Sequence, residues 1–102
     1  MAYEQGDAWD VISDRTRRAI VMELAEGERT VGELARLLPV SQPAVSQHLK
    51  VLKQAGMVSD RPEGTRRIYR LNEAGVSALR DQLDTFWART MSRFERLMEE
   101  DS

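Results

Sequence analysis

Apolar residues recur along this 102-residue chain with two different periods, and the change of period divides it into elements. Ala19, Ile20, Met22, Leu24 and Ala25 follow the 3.6-residue period of a helix. Asp14 stands where it can cap that helix, and Gly27 ends it. A shorter helix is expected ahead of it over residues 7–13, with Trp9 and Ile12 on its apolar side. Thr30-Val31-Gly32-Glu33 has the T-x-x-E spacing in which each side chain satisfies the other's orphan backbone N–H. It opens a third helix through Leu34, Leu37 and Leu38, which Pro39 stops. Two residues later Ser41 can cap a fourth, with Pro43 tolerated in the first turn. Val45, Leu49 and Leu52 form its core stripe, and Gly56 closes it.

The period then shortens. Residues 57–61 and 66–71 read as two short strands, joined by Arg61-Pro62-Glu63-Gly64 as a type I turn. Tyr69 and Leu71 are expected to face the core, with Ile68 interrupting a clean alternation. Asn72 can cap a last helix running to about residue 99, roughly 42 Å long at the α-helical rise. The pattern predicts a mainly α fold of order α-α-α-α-β-β-α in one domain over residues 1–102. Residues 30–55 form a helix-turn-helix, residues 57–71 a β-hairpin wing, and residues 72–99 a C-terminal helix. Val76, Leu79, Leu83, Phe86, Trp87, Met91, Phe94, Leu97 and Met98 give that last helix a continuous apolar stripe. A domain of this size cannot cover both ends of it, so its far half requires a partner surface.

The fourth helix carries an unusual outer face. Gln42, Ser46, Lys50 and Lys53 lie on one side, with Pro43 and Gln47 beside them, where a solvated face would more often mix Glu with Lys. The flat amide of Gln matches the major-groove edge of adenine, and Ser can serve several bases. The net charge of −2 argues at first against a nucleic-acid partner, but its distribution reverses the inference. No acid occurs between Glu33 and Asp60, whereas Lys50, Lys53, Arg61, Arg66, Arg67 and Arg70 crowd residues 41–70 against only Asp60 and Glu63. A local electropositive segment of this kind is the footprint of a polyanion.

Other chemistry finds little support. The chain has no Cys, which excludes disulfides, thiolate metal sites and cysteine nucleophiles. No apolar run is long enough for a membrane span and the N-terminus lacks a signal pattern, so the expected compartment is the cytoplasm. His48, the single histidine, would need carboxylate partners alone to bind a metal, and a catalytic triad would need a pocket that nothing here announces. A phosphate contact and a plain structural hydrogen bond remain open for it. Arg15, Arg17 and Arg18 open the second helix against its macrodipole, which suggests either phosphate contact or pairing with acids of the first or last helix. Of the adjacent Arg66 and Arg67, which point to opposite faces of a strand, one is expected to engage DNA. A winged-helix module that binds only protein is the rival reading. It would show acids or bulky apolar residues on the outer face of the fourth helix, and neither is present.

Several segments in order resemble the ArsR family of bacterial winged-helix repressors. They are Asp14-Arg15-Thr16-Arg17-Arg18-Ala19-Ile20, Thr30-Val31-Gly32-Glu33-Leu34-Ala35, Ser41-Gln42-Pro43-Ala44-Val45-Ser46-Gln47-His48-Leu49-Lys50, Ala55-Gly56-Met57-Val58 and Gly64-Thr65-Arg66-Arg67-Ile68-Tyr69-Arg70-Leu71. The resemblance spans residues 9–75 and implies a homodimer paired through its first and last helices that represses transcription until a signal releases it. Metal-sensing members carry a Cys-Val-Cys type motif where Thr30-Val31-Gly32 stands. Others bind zinc between their last helices through Asp, His and Glu, whereas this last helix has Asp81, Asp84 and Glu95 but no His. The resemblance is therefore to the Cys-less members, without a metal cofactor.

The expectation is a homodimeric regulator, not an enzyme, acting on double-stranded operator DNA, with no cofactor, no membrane association and an unknown effector. Gln42, Ser46 and Gln47 are the candidates for base edges. Ser41, Lys50 and Lys53 are candidates for phosphates, with Pro43 and His48 alongside and Arg66 or Arg67 on the wing. Trp9, Ile12, Leu83, Phe86, Trp87, Met91, Phe94 and Met98 are the candidates for the dimer interface.

Overall fold

The computed structural model describes residues 8–100. In chain order its elements are α1 (Ala8–Val11), α2 (Arg15–Glu26), β1 (Arg29–Thr30), α3 (Val31–Leu37), α4 (Gln42–Gln54), β2 (Val58–Glu63), β3 (Arg66–Leu71) and α5 (Glu73–Glu100). Each helix start read from the sequence carries its cap. Asp14 accepts from the Arg17 N–H at 3.0 Å, and that bond holds its carboxyl below the usual carboxylate range. Thr30 and Glu33 close the reciprocal capping box at 3.1 and 2.7 Å. Ser41 accepts from the Ala44 N–H and Asn72 from the Ala74 N–H. Each such cap stabilises its helix by about 1 kcal/mol.

Val45, Leu49 and Leu52 are fully buried and join Ile20, Leu24, Leu34, Met57 and Val58 in one core beneath the helix-turn-helix. Three apolar side chains assigned to the stripes of α2 and α3 lie outside it: Met22 and Ala25 on α2 and Leu37 at the end of α3 are exposed. α5 contributes no buried residue, although Leu79 packs against the core. Its first turn is seated closely: a Cβ on Gly75 would lie 2.1 Å from the carbonyl oxygen of Gly56. The helix stays on the domain through Leu79 and, at Gln82 and Phe86, against Trp9 of α1, and its far half projects beyond, in a molecule with extents of 64 × 28 × 23 Å.

The sheet differs from the expected hairpin in two ways. It has three antiparallel strands in the order β1-β3-β2, with Arg29 opposite Tyr69 and Thr30 opposite Ile68. A two-residue strand is too short to leave a period-2 signal, so β1 was invisible in the pattern. Tyr69 and Leu71 do pack against the core, and Ile68 on the opposite face is itself buried, flanked in register by Thr30 and Arg61. The turn also sits two residues later than expected. Pro62 and Glu63 remain in β2, paired with Arg67 and Arg66, and the loop is Gly64-Thr65. Gly64 has φ +64° and, among the described residues, no non-Gly residue has a positive φ, so the order of signs is that of a type II′ hairpin turn. β2 is an edge strand, which tolerates the N–H that Pro62 lacks.

Candidate nucleic-acid interface

Helix α4 presents its polar face to solvent because the other face is consumed by the core. Ser41, Gln42, Pro43, Ser46, Gln47, Lys50 and Lys53 are all exposed. Helix periodicity puts Gln42, Ser46, Lys50 and Lys53 along one line, and no acidic side chain interrupts α4. Pro43 in the first turn removes an N–H that would have had no intrahelical partner.

The wing stands beside the start of this helix. A cleft of about 370 Å³ is bounded by Thr30, Val31, Gly32 and Arg36 from the first half of the helix-turn-helix, Gln42 from α4, and Thr65, Arg66, Arg67 and Tyr69 from the wing. Three guanidinium groups therefore border one opening that has no carboxylate in its lining. Arg36 was not anticipated from the sequence. It lies on α3, outside the basic run, and only the register of β1 against β3 brings it near the wing.

The basic residues of this region differ in how they are held. Arg61 pairs with Glu28 at 2.9 Å, a hydrogen bond that raises the one pKa and lowers the other. Asp60, with only 5% of its side chain exposed, binds two cations at once. Arg67 Nε donates to Asp60 Oδ2 at 2.6 Å, and Lys53 Nζ lies 2.9 Å from Oδ1. The Arg67 bond first, and the Lys53 bond next, hold the Asp60 carboxyl below the usual range. Among the described residues Lys50, Arg66 and Arg70 have no ion-pair partner. Asp60 was legible in the sequence only as the end of the acid-free run; its double contact was not.

His48 makes a structural hydrogen bond and sits half-buried on the flank of α4. Its Nδ1 lies 3.4 Å from Arg17 Nη1, a hydrogen bond that requires Nδ1 to be unprotonated. The hydrogen bonds of the Arg17 and Arg18 side chains go largely to backbone carbonyls, with Arg18 exposed and Arg17 half-buried. Arg17 Nε donates to the Val11 carbonyl at 2.8 Å, and Arg18 donates to the carbonyls of Ile12 and Ser13. These arginines tie α1 to α2 through carbonyls that the end of α1 leaves unsatisfied.

At the other end of the molecule the residues expected in a dimer contact line up along α5 and α1. Trp9 stacks on Phe86 with ring centroids 6.1 Å apart, and Phe86 meets Trp87 edge-on at 5.5 Å. The Trp9 N–H donates to Gln82 Oε1 at 3.2 Å. Ile12 packs on the core and Leu83 is half-buried, while Phe86, Trp87, Met91, Phe94 and Met98 remain about half exposed or more. Among the described residues, no group of three or more His, Cys, Asp and Glu is arranged to hold a metal ion, and no helix is long and apolar enough to cross a membrane.

A tri-helical core, a polar and acid-free recognition helix and an adjacent basic wing together define a winged helix-turn-helix protein of the DNA-binding class. Residues 14–60 match the family model described as bacterial regulatory protein, arsR family. The chain is 59% identical over 92 residues to the HTH-type transcriptional regulator Rv2034 of Mycobacterium tuberculosis, spanning 90% of this chain and 86% of that one. It is 37% identical over 78 residues to the transcriptional repressor SdpR of Bacillus subtilis, spanning 76% and 83%. The crystal structure of a possible transcriptional regulator for arsenical resistance is similar with a TM-score of 0.76 at 46% identity, over 79% of this chain and 84% of that one. The chain belongs to the ArsR family: it is a DNA-binding transcriptional regulator, not an enzyme, and the reading as a module without DNA binding is not favoured.

Proposed function

We propose that the protein is a cytoplasmic, homodimeric repressor that reads an imperfect palindromic operator through α4 and holds flanking DNA with its wing. The observation that carries this reading is the outer face of α4, where Gln42, Ser46, Gln47 and Lys50 are all exposed and no acid intervenes. Two such helices related by a dimer axis would enter successive major grooves about 34 Å apart, which makes the operator a near-palindrome. Gln42, Ser46 and Gln47 are assigned to base edges. Ser41, Lys50 and Lys53 are assigned to phosphates, and the exposed Arg66 is the wing residue best placed for phosphate or groove.

Footprinting on the DNA upstream of the protein's own gene supplies the operator, and one titration series then tests the assignment. Gln42→Ala and Gln47→Ala remove a bidentate partner without removing charge. Each should cost about 1–3 kcal/mol per base pair read, doubled across the half-sites, with little change on scrambled duplex. Equal weakening on both duplexes would move sequence reading away from α4, to the wing or to DNA shape. No salt-dependent binding to any duplex would end the proposal.

A further inference from the structure

Two acids stand among the cations of the wing, the exposed Glu63 near its tip and Asp60 at its base, and Asp60 is the one that charge matching alone does not explain. A carboxylate beside a polyanion opposes binding, yet Asp60 sits between the recognition helix and the wing with its side chain almost wholly covered. It joins three elements through one group. Asp60 itself is on β2, its Oδ1 meets Lys53 in the last turn of α4, and its Oδ2 meets Arg67 on β3. The strand register makes the second contact possible: Asp60 lies opposite Tyr69, so Arg67 is its diagonal neighbour on the same sheet face. Both cations keep about half of their side chains exposed, at 54% and 52%.

A winged helix has to place its helix and its hairpin on the same duplex together. The angle between them is set where α4 hands over to β2, across the short link of Ala55, Gly56 and Met57. Charge-assisted hydrogen bonds of 2.6 and 2.9 Å from a covered carboxylate are directional restraints on that angle. Arg67 and Lys53 are also thereby oriented: Arg67 is held at Nε with its terminal nitrogens open, and Lys53 gives one of the three N–H bonds of Nζ.

We infer that Asp60 is a positioning residue for DNA recognition, fixing the wing against α4 through Lys53 and Arg67, and that Arg66 rather than Arg67 is the wing's independent DNA contact. This rests on the DNA-binding reading of α4, and it differs from simple electrostatics in the sign of its outcome. Asp60→Asn removes a negative charge from the DNA face of each subunit while preserving shape. If only charge mattered, binding to operator and scrambled duplex would both tighten. If Asp60 positions the wing, operator affinity falls roughly ten- to hundredfold while scrambled-duplex affinity holds or rises, so the specificity ratio collapses.

The experiment titrates full-length protein and the Asp60→Asn, Arg67→Gln and Arg66→Gln variants against the footprinted operator and a scrambled duplex at several salt concentrations, with circular dichroism confirming the fold. Arg66→Gln should weaken both duplexes alike and reduce the salt slope by about one per subunit. Arg67→Gln should instead lose operator preference, and combined with Asp60→Asn it should lose little more than either change alone. Should Asp60→Asn fail to fold, Arg67→Gln decides by itself: equal weakening on both duplexes with a reduced salt slope makes Arg67 a plain phosphate contact and overturns the inference. An operator affinity that rises in Asp60→Asn with the specificity ratio intact does the same. Failure of the unmodified protein to distinguish the duplexes strikes at the function proposed for α4 and not at Asp60.

Discussion

Replacing Trp87 by Glu tests the proposed dimer at the point where the structure makes the largest demand. Phe86, Trp87, Met91, Phe94 and Leu97 are each close to half exposed on one helix. At roughly 100 Å² of exposed surface apiece they present about 500 Å² per subunit, and the exposed parts of Trp9 and Met98 bring this near 700 Å². A stable interface of standard size covers about 800 Å² per partner, so the stripe is nearly an interface in itself. Trp87 is 56% exposed, or about 140 Å² of its roughly 250 Å². Covering that area in both subunits is worth at most about 7 kcal/mol at ~25 cal/mol per Å², and about 3 kcal/mol if half of it is covered. The corresponding loss is a hundredfold or more in the dimer Kd, by roughly 1.4 kcal/mol per decade, and an unpaired carboxylate in the contact adds to it. Sedimentation equilibrium should show the unmodified protein as a dimer at micromolar concentration and Trp87→Glu shifted towards monomer, with its helix content retained and its operator affinity reduced. An unmodified protein that sediments as a monomer at that concentration, or a Trp87→Glu dimer of unchanged affinity, refutes the reasoning.

Gly75→Ala should destabilise the fold by about 1–3 kcal/mol, because a Cβ there meets the Gly56 carbonyl oxygen at 2.1 Å and backbone must move; an unchanged urea midpoint would contradict that close approach. Zinc, copper, cadmium, arsenite and EDTA should leave operator affinity unchanged, since the chain has no Cys and a single His. A tight stoichiometric metal complex that abolishes binding would overturn this. Asp60, Asp14, Glu33 and Glu28 all titrate below their ordinary values in the folded protein, through bonds first from Arg67, the Arg17 N–H, the Thr30 N–H and Arg61 respectively. A depressed carboxylate binds fewer protons folded than unfolded, so its stabilising share is present above the unfolded value near 4 and is lost as pH falls through the folded one. Urea midpoints should therefore drop below about pH 4, and carboxylates contributing a gain there would reverse the sign.

The helices were legible because each announces itself twice, by a cap and by a stripe. Asp14, Thr30, Ser41 and Asn72 all cap as their positions suggest, and the Val45, Leu49 and Leu52 stripe is buried as its spacing requires. Errors arose where one local signal stood alone. Arg61-Pro62-Glu63-Gly64 satisfies the composition of a type I turn, but strand pairing continues through Glu63 and Gly64 instead opens a two-residue loop. A turn is fixed by the register of both strands, and residues 66–71 set that register from the far side. β1 carries no signal of its own and exists only because β3 offers it an edge.

The candidate interface was legible as residue types and not as pairings. Exposed Gln and Ser on α4 follow from helix geometry once the apolar stripe is placed, so Gln42, Ser46 and Gln47 needed no tertiary information. Charge behaves differently, because a sum over residues 41–70 treats every Lys and Arg as available. The fold instead ties Arg61 to Glu28 and Arg67 and Lys53 to Asp60, and leaves Lys50, Arg66 and Arg70 without ion-pair partners among the described residues. It also adds Arg36 to the cleft from an element outside that run. Such partners come from sequence separations of 7 to 33 residues and depend on strand register, which composition does not encode. A basic segment thus indicates that a polyanion is bound. Which of its cations are already paired with an acid is decided by the fold, through Asp60 for Lys53 and Arg67 and through Glu28 for Arg61.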